Sequence, residues 1–357
     1  MKILIDLGHP AHVHYFRNFI SEMKTRGHQF LITARDKEVT HVLLNNYNLE
    51  YVSRGKGKNT LLGKMTYMFN ADLKIFNLAR KWNPDIFISF GSPYAAHVAF
   101  ALGKPHIALT DTEHAKLGIL SFALFTKTII TPNSFLKSFG KKQVLFNGFF
   151  ELCYLNPKYF IPNSTIRCVL NLKPSDKFVL FRFISWNASH DIGQSGISLQ
   201  NKIKLLELFT SLGYKVFISA EGTLSQELEV HRIKISPEQV HDVLAETDFF
   251  IGESGTMSTE AALLGTPTIY INSLDAGVFH DEVRYGLLYS LRTDKNLLNL
   301  IKKLLSESNL KAKHLELRNR MLSEKIDVTA FLIWFITNYP KSKAIMKENP
   351  DYQYNFK

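Results

Sequence analysis

The stretch "FFIGESGTMSTEAALLGTPTIYI", residues 249–271, passes from an apolar run through small and hydroxyl residues into a helical pattern and back to an apolar run. Phe249–Ile251 reads as a short buried strand, Ser254–Met257 as a turn, Thr259–Leu264 as a helix with Glu260 in its first turn, and Thr268–Ile271 as the next strand. A helix that opens just after a strand points unpaired N–H groups, and the positive end of its dipole, at the carboxyl edge of the sheet. An anion fits there. Gly255 lets the backbone approach a phosphate, Ser254 and Thr256 add hydroxyl donors, and Glu260 can accept hydrogen bonds from a ribose diol. The same residues also describe an N-capped helix with Thr256 or Ser258 as its cap. Within this stretch both readings stand, and the flanking chain decides between them.

Outward from it, strands and helices alternate. "FVLFRF", "SLQNKIKLLELFTSLG", "KVFISA" and "PEQVHDVLAE" precede the stretch, while "KILIDL", "QFLITAR", "LEYVSRG", "DIFISFG", "HIALTD" and "TIITP" are strands of the first half with helical patterns between most of them. Repeated strand–helix units give parallel, doubly wound sheets. Two sets of them predict two Rossmann-like domains, residues 1–155 and 177–338, with a connector at 156–176 and a polar tail at 339–357. Ligands of such sheets bind beyond the carboxyl ends of the strands. The residues there are His9 and His12, Ser92, Asp111, Glu113 and His114 in the first half. In the second they are Arg182, Trp186, His190 and Asp191, then Ser254 to Glu260.

The formal charge of +11 is uneven: residues 1–165 hold 20 Lys and Arg against 10 Asp and Glu, whereas residues 166–357 hold 23 against 22. Arg54, Lys56 and Lys58 form a local cluster, followed by "LLGKMTYMFNADLKIFNLARKW", where cations and apolar residues interleave. Such a surface suits an anionic membrane face or a phosphorylated acceptor, or serves as a solvated basic face. No nucleic-acid motif accompanies it, so nucleic acid is not expected as a partner. The apolar runs are too interrupted to span a bilayer, and "MKILIDLGHP" lacks the plan of a signal peptide. These features predict a cytoplasmic protein, peripheral to the inner face of a membrane if the basic half docks there. Cys153 and Cys168 have neither zinc-ligand spacing nor a disulfide framework around them.

The chain resembles, over nearly its full length, the GT-B superfamily of glycosyltransferases and UDP-N-acetylglucosamine 2-epimerases. Within it, "HPAHVHYF", "DTEHA" and "WNASHD" resemble a family catalogued only as a domain of unknown function. "ESGTMSTEAALLGTP" is similar to the epimerase pattern S-G-G-x-x-E-E-A-x-x-x-G-x-P, with Thr256 in place of the second glycine. That resemblance implies diphosphate contacts from Ser254, Gly255 and Thr256 and ribose contacts from Glu260. The segment Ala11-His12-Val13 resembles the acceptor-side loop of the lipid-linked N-acetylglucosaminyltransferase of peptidoglycan synthesis, which makes His12 a cleft residue. For His14, further along the helix, a cleft role and a core role are equally open. Epimerases carry an H-G-D-x-T segment where this chain has Gly91-Ser92-Pro93, and their later P-E-E has no counterpart; Glu113 does match the epimerase glutamate.

A single base suffices for a transferase, and His12, Asp111 and Glu113 are the candidates. Arg182 can pair with the donor diphosphate, His280 and Asp281 reach the sugar or form a turn, and the nucleotide base lies near Ile235. Helix N-termini and Arg182 neutralise the leaving diphosphate, so neither metal nor other cofactor is expected. The expectation is a glycosyltransferase moving a sugar from a nucleotide diphosphate, UDP favoured, to a surface-polysaccharide or lipid-linked acceptor. Its rivals are a UDP-sugar epimerase or hydrolase, and a non-catalytic basic binding protein.

Overall fold

In the first half the chain alternates as its hydrophobic pattern dictates: β1 (Lys2–Leu7), α1 (Pro10–Thr25), β2 (Gln29–Ala34), α2 (Glu38–Asn46), β3 (Val52–Ser53), α3 (Leu61–Trp82), β4 (Ile86–Phe90), α4 (Pro93–Ala101), β5 (His106–Leu109), α5 (Lys116–Ala123), β6 (Thr128–Pro132), β7 (Gln143–Phe146) and a short α6 (Leu152–Leu155). This is a computed structural model that describes residues 1–57, 60–184 and 196–357. All pairings are parallel, in the order β3-β2-β1-β4-β5-β6-β7. Ile3, Leu4, Ile5 and Leu7 are all buried, because a parallel strand is covered on both faces. Right-handed crossovers put α1 and α2 on one face and α3, α4 and α5 on the other. The chain reverses direction between β1 and β4. That reversal opens a crevice at the carboxyl ends, where α1 and α4 begin.

The second unit, Phe160–Glu324, contains α7 (Ile166–Val169), β8 (Phe178–Phe183), α8 (Leu199–Ser211), β9 (Lys215–Ala220), α9 (Gln226–Glu229), α10 (Val240–Glu246), β10 (Phe249–Gly252), α11 (Gly255–Leu263), β11 (Thr268–Ile271), α12 (Gly277–Arg284), β12 (Leu288–Leu291), α13 (Leu297–Leu305) and α14 (Leu310–Glu324). Its sheet is parallel in the order β12-β11-β10-β8-β9. The direction reverses between β8 and β10. Val179, Phe181, Phe209, Ile218, Phe249, Ile251 and Ile269 form the core against one face.

The domain boundary differs from the sequence expectation. Residues Lys325–Lys357 belong with Met1–Tyr159 in the first unit rather than closing the second domain and trailing as a polar tail. α15 (Val328–Thr337) is the cause: Val328, Phe331, Leu332, Phe335 and Ile336 are buried there, and Asp327 caps the helix by accepting from Ala330 N at 2.9 Å. Asp327 also takes hydrogen bonds from Lys158 Nζ (2.9 Å) and the Tyr159 hydroxyl. α16 (Lys341–Glu348) follows, with Met346 buried.

Candidate functional site

In the second unit the seam between β10 and α11 differs from its sequence reading by one turn. Ser254 has extended backbone (φ −87°, ψ 120°) and the helix starts at Gly255, four residues before the expected Thr259. Ser254 is therefore the N-cap, in place of Thr256 or Ser258, and its hydroxyl makes no capping bond. The first N–H groups of α11 are left to face the sheet edge beside β8, at the point of reversal. Gly255 is needed by its neighbour: a Cβ there would come within 2.8 Å of the Phe279 ring on α12.

Glu260 consequently sits in the second turn. It is 4% exposed, and its Oε1 lies 3.0 Å from Nε2 of the buried His241 on α10. Arg182 lies inside β8, opposite Gly252 in the register. Its Nη1 donates to Ser219 Oγ at 2.9 Å and its Nη2 to Glu221 Oε1 at 2.5 Å, so the guanidinium is held toward β9. Burial lowers its pKa, only partly offset by Glu221.

One residue here escaped the sequence reading. Glu253 is fully buried, and its two oxygens accept from Ile184 N (2.9 Å) and Ile197 N (2.7 Å), with Lys202 Nζ 3.4 Å away. The available signal was an acid directly after an apolar strand, where only a set of donors makes burial tolerable. Glu253 joins the two flanks of the segment that contains Trp186, His190 and Asp191, which lie outside the described residues. His280 is exposed and lies 2.7 Å from Asp275 Oδ1, while Asp281 takes Arg284 Nη2 at 2.6 Å; both lie on α12. Ile235 is half-buried, two residues beyond the bond from Ile233 N to Ile218 O.

In the first unit, His9 is the N-cap of α1, its Nδ1 accepting from Ala11 N. His12 follows on the first turn, 4.9 Å between ring centroids from Phe90 at the end of β4. Its Nδ1 accepts from Gly8 N at 3.2 Å, so the neutral ring carries its proton on Nε2. Burial, then His9, Arg54 and Lys37, hold its pKa well below the ordinary histidine value. His12 thus presents a hydrogen-bond donor rather than a free basic nitrogen. His14 is 5% exposed, 5.3 Å from the Tyr154 ring and edge-on to Tyr47, which makes it a core residue.

Asp6 was not expected, and it organises this edge. It is fully buried and accepts from Thr33 Oγ1 (2.7 Å), Arg54 Nε (2.8 Å) and Ser92 Oγ (2.5 Å). Arg54 also donates to the Tyr67 hydroxyl at 2.6 Å and lies over the Tyr94 ring. It is 6% exposed, which removes it from the surface cluster where sequence put it. The lone acid in "KILIDL" called for a buried cation. Ser92, the N-cap of α4, is likewise committed to this network.

Asp111 follows β5. Burial above all, with the nearby Glu113 adding to it against a bond from its own backbone, raises its carboxyl to about 7. Glu113 is 4% exposed; its Oε1 accepts from Leu136 N at 3.1 Å, and its main-chain oxygen takes Lys137 Nζ. His114 is exposed on the same loop. No group of His, Cys, Asp and Glu able to hold a metal occurs among the described residues.

A family model described as "Protein of unknown function (DUF354)" matches residues 1–329. An uncharacterized protein of Methanocaldococcus jannaschii, MJ0665, is 30% identical over 280 residues, covering 75% of this chain and 81% of that protein. Among solved structures, the UDP-GlcNAc 2-epimerase from Neisseria meningitidis bound to UDP-GlcNAc superposes with a TM-score of 0.65 at 14% identity, covering 88% of this chain and 94% of the other. The S. aureus MnaA–UDP structure gives 0.66 at 12% identity over 100% and 97%. The glycosyltransferase SsfS6 from Streptomyces sp. SF2575 gives 0.60 at 13% identity over 95% and 100%. Two parallel-sheet α/β domains with these neighbours define the GT-B fold.

Proposed function

The chain belongs to the DUF354 family, and from that premise and its two sheet edges we propose that it is a glycosyltransferase using a nucleotide diphosphate sugar, UDP favoured, with a glycan or lipid-linked acceptor. The observation that carries this is the opening of α11 at the reversal of the second sheet, with an N-cap hydroxyl unused and glycine at its first position. The leaving diphosphate gains negative charge as the bond to the sugar breaks, and a helix N-terminus stabilises that charge. Glu260, one turn on, takes the ribose hydroxyls, and Arg182 reaches the phosphates by exchanging Glu221 for them.

For the acceptor side, the proposal separates the three candidates. Asp111, raised to about 7, is the base that takes the acceptor hydroxyl proton as the new glycosidic bond forms. His12 donates a hydrogen bond from Nε2, and Glu113 fixes the Asp111 loop to Leu136 and Lys137. The adjacent carboxylates Asp111 and Glu113 favour one second reading, epimerisation of the sugar of a UDP-sugar. Incubation with UDP-N-acetylglucosamine separates the two: a transferase leaves the sugar unchanged until an acceptor is supplied, whereas an epimerase produces the epimer without one. Absence of measurable UDP or GDP binding by calorimetry would overturn both.

A further inference from the structure

We infer that the outer surface of α3, α4 and α5 docks on an anionic membrane. α3 is apolar on two opposite faces. Tyr67, Ala71, Ile75 and Ala79 are buried toward the sheet and α4, while Leu62, Met65, Phe69 and Leu73 recur at helical spacing on the outside and are exposed. Leu62 is 75% and Phe69 69% exposed, and on α5 Leu117 is 84% exposed with Leu120 beside it in the helical pattern. A water-facing helix surface is ordinarily polar. A contiguous apolar face marks an interaction site.

The three helices are clasped by one residue. His97 on α4 lies 3.0 Å through Nδ1 from Asp72 Oδ2 on α3 and 3.1 Å through Nε2 from the Ser121 carbonyl on α5. The Asp72 hydrogen bond comes first among the effects that raise its pKa, against the opposing effect of burial. Asp72 is the one carboxylate in the sequence of these three helices, and His97 pairs with it. Lys64 and Lys74 are exposed on the flanks of the apolar stripe of α3, and Lys116 is exposed at the start of α5. The face therefore combines insertable side chains with uncompensated positive charge. That chemistry fits an anionic lipid surface. Against a second copy of the chain, a two-fold contact would bring the same lysines onto one another. No helix among the described residues is long and apolar enough to cross a membrane, so the attachment is peripheral.

The surface is independent of the reading of the sugar-nucleotide site, and UDP affinity is measured alongside it. Full-length protein is sedimented with phosphatidylcholine vesicles, with and without phosphatidylglycerol. Recovery is expected with the anionic vesicles and is reduced by salt. Two triple variants, Leu62→Ser/Phe69→Ser/Leu117→Ser and Lys64→Glu/Lys74→Glu/Lys116→Glu, each lose about tenfold or more of the partition coefficient, given roughly 1 kcal/mol for each cation near such a surface. UDP affinity and the melting temperature are expected to stay as in the parent. Equal recovery with neutral and anionic vesicles overturns the inference, as does no recovery with either. So does a concentration-dependent dimer that the serine variant abolishes.

Discussion

The two units share one architecture and differ in what they expose and what they bury. The first unit holds 25 Lys and Arg against 13 Asp and Glu, the second 18 against 19. Exposed large apolar side chains gather on α3 and α5 in the first unit, whereas in the second they are spread along the chain, as at Ile161, Val230 and Leu315. Beneath its carboxyl edge the first unit buries an ion pair, Asp6 with Arg54; the second buries Glu253, held mainly by backbone N–H groups. A doubly wound sheet fixes where a site lies. The side chains beyond its strands decide whether that site receives an anion or presents a base to an alcohol.

The largest effect that would sharpen this contrast is on chemistry. Asp111→Asn is expected to reduce turnover by roughly 10²–10⁴-fold while UDP affinity holds, as for loss of a general base. In the parent, kcat/KM rises with pH through about 7 as Asp111 ionises and levels above it; the variant lacks that limb. A retained limb in Asp111→Asn would move the base elsewhere.

Next comes the ion pair. Asp6→Ala leaves Arg54 buried without its carboxylate and is expected to cost about 3–5 kcal/mol in chemical denaturation. A loss under about 1 kcal/mol would mean that Tyr67 and Tyr94 hold the guanidinium by themselves.

Glu260→Ala is expected to weaken UDP binding by about 1–3 kcal/mol, the range for unmatched buried hydrogen-bond partners. Calorimetry with an intact far-UV spectrum decides it: unchanged affinity leaves Glu260 as the partner of His241 only.

The last effect concerns Glu282 on α12, which is fully buried and pushed up to about 8, chiefly by burial. Because its folded value lies above the unfolded one, the folded state binds the extra proton between about 4.5 and 8, and stability falls as pH rises through that window. Glu282→Gln should match the parent's melting temperature near the low end of the window and exceed it by several degrees near the high end. Parallel curves for the two proteins would place Glu282 in contact with water.

Periodicity made most of the strands legible, because a covered parallel strand is a continuous apolar run. It missed β7, where "QVLF" is short and opens with Gln143, and β12, where "LYSL" mixes polar and apolar residues. The site was legible as a set of positions after strands, and less so as a set of roles. The letters of "ESGTMSTE" locate the sheet edge proposed to receive the anion, yet the helix start depends on the backbone of Ser254, so Glu260 moved by a turn. Arg54 looked like surface beside two lysines until Asp6 drew it inward. His12 lies at the edge, but which nitrogen keeps the proton is set by the Gly8 amide, which no residue pattern encodes.

The first unit is assembled from both ends of the chain, with Phe160–Glu324 inserted between them. During synthesis, Met1–Tyr159 leaves the ribosome without the segment that carries Phe331, Phe335 and Ile336. At about 5–20 residues per second, the 165 intervening residues impose a wait of roughly ten to thirty seconds. Through that interval the surface that α15 later covers stays open to a chaperone or to another nascent chain. The inserted unit, contiguous in sequence, has no such wait. A polypeptide ending at Glu324 would hold that incomplete state permanently, and its recovery from the soluble fraction, against the full chain, measures how much of the first unit's folding waits for its final 33 residues.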